Sequence, residues 1–358
     1  MNKKIITFMV MVCVATALIV SDIQAQLTQL VDVNVNNKRT GTSAASELLI
    51  PVGARGLAMS GANLATTVGI DAVYWNPAGL SLMGADAEGT FSSLSYIADI
   101  KINYGAVGIK FSGFGTFALS IKALNIGDIL LTTVDDPEGV AGRTFAPSFV
   151  TIGATFARQF TDAISAGATF KLISEQMHRV SGKGMAIDFG LQYNGIAGIE
   201  GVKLGVAVKN MGPEMTFDGP GLLRQAIAEN GRRPEQFYQS KAASWQLPTS
   251  IEIGLAYSSD LSPELSYNIN SGFSANSLHL DSYRFAGEAI YTVGSVVLAG
   301  RAGFDLLDAG EDDGEIFGPT FGFGFGWNAQ NIDITIDYAY RTVDFFNNNN
   351  MFTVRFGF

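Results

Sequence analysis

Ile187-Asp188-Phe189-Gly190-Leu191-Gln192-Tyr193-Asn194 is the stretch that decides the fold class. Neighbouring side chains of a strand point to opposite faces, so this run has one face of Ile, Phe, Leu and Tyr and another of Asp, Gly, Gln and Asn. The same split recurs at 150–157, 164–172, 202–209, 251–257, 265–270, 332–340 and 352–358. Phe321-Gly322-Phe323-Gly324-Phe325-Gly326 is its extreme form, a bulky face backed by bare backbone. Less regular strands at about 86–97, 100–111, 114–125, 283–292 and 295–305 bring the expected set to fourteen.

Composition removes several alternatives. The 358 residues are 47% hydrophobic and 16% charged, and the mean hydropathy is +0.22. Past residue 20 no run approaches the ~18 apolar residues that a spanning helix needs. The apolar content excludes disorder, and the 41 glycines keep no collagen period. A net charge of −10 argues against a nucleic-acid partner. At the N-terminus, Lys3 and Lys4 precede an apolar run over 5–20 and a polar stretch to Ala25. This reads as a signal peptide, residues 1–25, with a membrane anchor as the alternative. Cys13, the one cysteine, falls inside it, so the mature chain is expected to hold no disulfide, thiolate metal site or cysteine nucleophile.

An even set of strands about ten residues long, apolar on one side and polar on the other, is the pattern of an outer-membrane barrel. Hydrocarbon offers no hydrogen-bond partner, so such strands must close on each other. A soluble all-β sandwich or solenoid is the competing reading. Tyrosines near strand ends (Tyr96, Tyr193, Tyr257, Tyr291) suit an interfacial girdle. Phe352, Val354, Phe356 and terminal Phe358 share a face and resemble the signal of proteins inserted by the barrel-assembly machinery. Short connections at 112–115, 158–163, 258–263, 292–295 and 327–331 alternate with longer ones at 126–147, 175–184, 211–247, 272–280, 306–316 and 341–350. Barrels keep short turns on the periplasmic side, which points the long loops outward; 96–100 is a short outer exception. The expectation is an all-β, transmembrane antiparallel barrel, residues 85–358, in the outer membrane of a Gram-negative-type cell, in contact with lipid and lipopolysaccharide.

Residues 26–84 do not alternate. They contain Gly53-Ala54-Arg55-Gly56-Leu57-Ala58-Met59-Ser60-Gly61-Ala62, then Asp71-Ala72-Val73-Tyr74-Trp75-Asn76-Pro77-Ala78-Gly79-Leu80. Glycines permit close packing and positive φ, and Pro77 keeps Asn76 out of the helical region. The two blocks, in this order ahead of the strands, resemble the FadL superfamily and more closely its PorV/PorQ branch. One departure is that Asp71 is flanked by Ile70 and Ala72, where the family often has a second acidic residue. The resemblance implies that 26–84 is a hatch inside the lumen, with Arg55 and Asp71 as polar pins to the wall and Asn76, Pro77, Ala78 and Gly79 at the gate. The alternative is a fold determinant without a ligand role.

Catalytic signals are sparse. His178 and His279 are the two histidines; Asp281 is near the second, but sequence supplies no oriented nucleophile. G-x-S-x-G, P-loop and H-E-x-x-H patterns are absent, so no enzyme and no cofactor are expected. Asp305, Asp308, Glu311, Asp312, Asp313 and Glu315 lack the order of an EF-hand, and no metal site is assigned. Lys171, Asp188, Lys203, Lys209, Glu252, Arg284, Glu288, Arg301, Asp333, Asp337 and Arg355 fall on polar faces. Their mixed sign suits a cross-linked lumen rather than a selective open pore. In the 211–247 loop, 221–229 reads as a short helix presenting Leu222, Leu223 and Ile227, followed by Phe237, Tyr238 and Trp245. These are candidates for docking a partner or ligand. The resemblance implies, as the first reading, an accessory of type IX protein secretion that meets the translocon and its cargo; the alternative is passive transport of hydrophobic small molecules such as long-chain fatty acids.

Overall fold

The computed structural model describes residues 43–226, 235–278, 280–307, 316–328 and 332–358. Residues 1–25, read above as a signal peptide, residues 26–42, Ile227, His279 and most of the acidic loop lie outside these.

Fourteen antiparallel strands close a barrel. In chain order they are Ala87–Ser95, Lys101–Phe111, Gly115–Asn125, Ser148–Gln159, Ile164–Met177, Val180–Asn194, Val202–Met211, Ser250–Asp260, Leu265–Asn276, Ser282–Val293, Val296–Leu307, Phe317–Asn328, Asp333–Val343 and Asn349–Gly357. Each pairs with its sequence neighbours, and the first pairs with the last in the register Phe91↔Val354, so no edge is left open. The apolar face looks outward. Along Val180–Asn194, Phe189 is 46% exposed whereas Asp188 is 0% and Gln192 1% exposed. A soluble sandwich would bury the other face; this inversion is how a lipid-facing barrel is built.

Residues 44–83 lie against the inward side chains of the strands. Their helical pieces, such as Ala54–Ala58, Ala72–Trp75 and the 3-10 segment Pro77–Leu82, are one or two turns long. Helices that short do not stand alone in water, so the wall must hold them. Trp75 organises the middle: its Nε1–H donates to the Val52 carbonyl at 3.1 Å, and its ring presses on Gly56, where an added Cβ would meet it at 2.2 Å. Inward glycines of the wall make room for this backbone. A Cβ on Gly190 would lie 2.1 Å from Asn76 Oδ1, and one on Gly322 2.3 Å from the Ala58 Cβ. Within the Phe-Gly repeat, Gly322 is thus the seat of Ala58, whereas Gly324 makes room for Asp337 and Arg301.

Some connections differ from the sequence reading. Expected loop 175–184 is a tight turn, because pairing runs on to Met177↔Val180 with His178 at φ 48°. The strand before 272–280 likewise continues to Asn276. Of the expected helix at 221–229, the described part holds one 3-10 turn, Pro220–Leu222, and a strand, Leu223–Ala226, paired with Gln236–Gln239. All four strand residues are exposed, so an amphipathic helix would have had no core to face, and cross-strand pairing satisfies the backbone instead.

The fit at Gly190 is testable. Gly190→Val should lower the midpoint of heat-modifiable gel migration, a destabilisation of about 1–3 kcal/mol by overpacking. Gly287→Val, where an added Cβ meets nothing within 4 Å, should leave it unchanged.

Candidate functional site

The luminal segment is fixed to the wall by buried ion pairs. Arg55 donates from Nε to Glu288 Oε1 at 3.0 Å and from Nη2 to Oε2 at 2.8 Å. Arg301 Nε adds a 2.7 Å bond to Oε1, and Asn268 Nδ2 a 2.9 Å bond to Oε2. Arg301 also reaches Asp337 at 2.5 Å. The Glu288 side chain is 0% exposed, so only this full set of donors offsets its desolvation. Burial works against the Arg55 charge, but Glu288 outweighs it and holds the guanidinium pKa above its ordinary value. A second pair joins Asp71 Oδ2 to Arg355 Nη1 at 2.6 Å.

Asn76 is fully buried. Its Nδ2 donates to the carbonyls of Leu64 at 3.0 Å and Leu191 at 3.1 Å, and its Oδ1 accepts from the Ala78 N–H at 3.2 Å. It therefore caps Pro77–Leu82 while tying two luminal turns to a wall strand. Gln192 donates to the carbonyls of Leu64 and Thr67 from the same strand. Pro77, Ala78 and Gly79 are buried, and Gly79 sits where a Cβ would be 2.2 Å from the Thr67 carbonyl oxygen.

Toward the strand ends that carry the longer loops opens a cavity of about 560 Å³. Leu57, Tyr74 and Trp75 of the luminal segment line it, together with Tyr96 and Phe317 of the wall and its connections. Burial raises the Tyr74 hydroxyl pKa far above the ordinary range, so this group is neutral. The cations that line the cavity are each engaged, Lys171 by Asp188. Lys209 and Arg284 approach the same oxygen, Glu252 Oε2, at 3.1 and 3.7 Å. The Lys209 ammonium is 5.3 Å from the ring centres of both Tyr74 and Trp75. Arg341 stacks 3.8 Å over the Phe317 ring. With the cations so engaged, aromatic and aliphatic faces are what the cavity offers to a ligand, and its size falls within the usual range for small-molecule sites.

The other candidates are dispersed. Leu222 is half-buried, and Leu223, Phe237 and Tyr238 are exposed on a two-stranded hairpin. Trp245 packs instead against the Ala44–Leu48 cluster on the inside, pairing with Met215. Ile227 is outside the described residues. His178 stacks beside Phe145 at 5.2 Å. Among the described residues no group of three or more potential metal ligands occurs. Sequence reading overlooked Tyr74, Trp75, Phe317 and Arg341 as cavity residues; Tyr74-Trp75 was visible inside the motif block, but nothing marked the side it turns to the cavity.

Removing Glu288 should hurt more than removing Arg55. Glu288→Gln leaves the Arg55 guanidinium without a carboxylate and Arg301 with Asp337 alone, and should cost about 3–5 kcal/mol in urea unfolding of the reconstituted barrel. Arg55→Met leaves Glu288 with Arg301 and Asn268 and should cost clearly less.

Three solved structures share this architecture. The monoaromatic hydrocarbon channel CymD superposes with a TM-score of 0.52 at 12% identity, covering 86% of this chain and 97% of that one. The Ralstonia pickettii toluene transporter TbuX gives 0.53 at 13% identity, over 85% and 97%. The deltaS2S3 mutant of the monoaromatic hydrocarbon channel TodX gives 0.55 at 11% identity, over 86% and 98%. No protein-family model matches the chain, and no curated protein matches it. The neighbours are channels and transporters rather than enzymes, and at these identities they establish that the chain has a FadL-like barrel fold.

Proposed function

We propose that the protein carries small hydrophobic molecules across the outer membrane. The observation behind this reading is the cavity at the outer mouth: an aromatic floor made by the luminal segment, with the surrounding cations already engaged. A ligand entering from outside would settle on Tyr74, Trp75 and Leu57, and residues 44–83 beneath it would have to shift before it could pass. The gate would involve Asn76 to Gly79, whose bonds join that segment to the Val180–Asn194 strand. The likeness to hydrocarbon channels supports the same reading at the level of fold. In this picture the chain is exported by its first 25 residues, inserted by the barrel-assembly machinery through its terminal strand, and surrounded by lipid and lipopolysaccharide.

Membership of the PorV/PorQ branch, with a secretion accessory role, rests on the motifs within 53–80 alone. The side chains that would dock a translocon or cargo are split between an exposed strand pair and a half-buried contact with the start of the luminal segment. Hydrophobic transport is the better supported of the two.

Trp75 provides the test. In a Trp245→Phe, Trp327→Phe background, Trp75 is the one remaining tryptophan. In liposomes, bromobenzene should quench it saturably, and Ser274→Phe, which fills part of the cavity, should weaken the apparent affinity about tenfold (~1.4 kcal/mol) with folding unchanged. Quenching that is linear with concentration and identical in both proteins contradicts capture in this cavity.

A further inference from the structure

One buried carboxyl pair takes no part in the ion network. Glu47 lies on the 3-10 turn Ser46–Leu49 of the luminal segment and Glu175 on the wall strand Ile164–Met177. Each is 5% exposed. The two carboxyl groups lie against each other. Glu175 Oε1 accepts the Ala45 N–H at 2.6 Å, whereas Glu47 Oε1 has no hydrogen-bond partner.

The nearby cations offset the pair only in part: Lys122 favours an ionised Glu47, but less than burial and Glu175 disfavour it. Lys122, from Gly115–Asn125, points its ammonium at the carbonyls of Glu47 at 2.7 Å and Ile50 at 2.5 Å, not at either carboxylate. Lys171, on the same strand as Glu175, is held by Asp188 of the next strand at 2.5 Å and by Asn210 at 2.8 Å. The Tyr74 hydroxyl lies within 3.0 Å of the Leu48 and Ile50 carbonyls. The packing around the turn is otherwise apolar: Leu48, Ile173, Ala186, Met215 and Leu247, with Phe217 and Trp245 half-buried. Two carboxylates in such a place cannot both be ionised without strong repulsion, so they retain a proton between them.

We propose that Glu47 and Glu175 form a proton-held latch, fastening the start of the luminal segment to the barrel wall when they share a proton and releasing it when that proton is lost. Ser46, Leu48, Leu49 and Ile50 all line the outer cavity, so release moves one side of that cavity and enlarges its mouth. Burial, reinforced by Glu175, pushes the Glu47 carboxyl from 4.5 up to about 8. The attached form therefore binds the proton more tightly than the detached form. Its advantage is complete below about 4.5 and is lost as pH rises through about 8, which makes this an alkaline-opening device. It does not depend on what the cavity binds.

A nitroxide on Ser46→Cys, in a Cys13→Ser background of the full-length barrel in liposomes, reads the turn directly. Its spectrum should show a mobile component that grows reversibly between pH 6 and 10 with a midpoint near 8. Glu47→Gln keeps the shape but cannot ionise, and should stay immobile across the range. Glu175→Gln removes the neighbouring charge that raises the midpoint, and should move it to lower pH. Heat-modifiable migration at each pH confirms an intact barrel. A pH-invariant spectrum in the parent, an unchanged rise in Glu47→Gln, or an unmoved midpoint in Glu175→Gln overturns the latch.

Discussion

Glu288 is a carboxylate with no access to water on the inner wall of a barrel whose outer wall faces lipid, and the interior is arranged to keep it satisfied. Its four bonds come from Arg55 of the luminal segment and from Arg301 and Asn268 of neighbouring strands. Without Arg55 the wall would still be closed, but its interior charge would be short of one partner in a low-dielectric setting. The same dependence holds where Arg355 meets Asp71 and where Gln192 donates to luminal carbonyls. Wall and luminal segment are each incomplete alone, and their joint satisfaction accounts for short helical turns persisting inside a barrel.

Shape follows the same logic. Small residues of the segment and glycines of the wall face one another, so backbone approaches backbone and the lower lumen is filled. Toward the outer mouth the fit relaxes. Long side chains pair laterally across the wall, as Lys209 and Arg284 do on Glu252, and leave a cavity over Tyr74 and Trp75. The site and the obstruction beneath it belong to one continuous segment. A ligand on the first is therefore mechanically coupled to the second.

Much of this was legible in the sequence because a strand has a strict period. Asp188 and Gln192 could be placed on one face and Phe189 and Leu191 on the other from order alone, and which face met lipid followed from the number and length of the strands. The charge list was legible for the same reason, down to Glu288, Arg301 and Asp337 pointing inward. Their partners were not. Parity fixes the side of the wall, but the partner across a lumen depends on barrel stagger and on where residues 44–83 run. The 221–229 helix failed for a related reason: a 3.6-residue period in a segment with no core to face carries little weight against available strand pairing. The Glu47–Glu175 pair, distant in sequence and carried by elements of different kinds, left no local signal.

Hydrogen exchange on the barrel in liposomes, read residue by residue, tests most directly whether segment and wall are one unit. Amides of Leu57, Ala58, Thr67 and Ala78 should exchange as slowly as those of the strands they touch, far more slowly than the exposed 223–226 hairpin. Fast exchange through 54–82 while the strands remain protected would mean an empty lumen wall with a loose segment inside it, and would contradict the account.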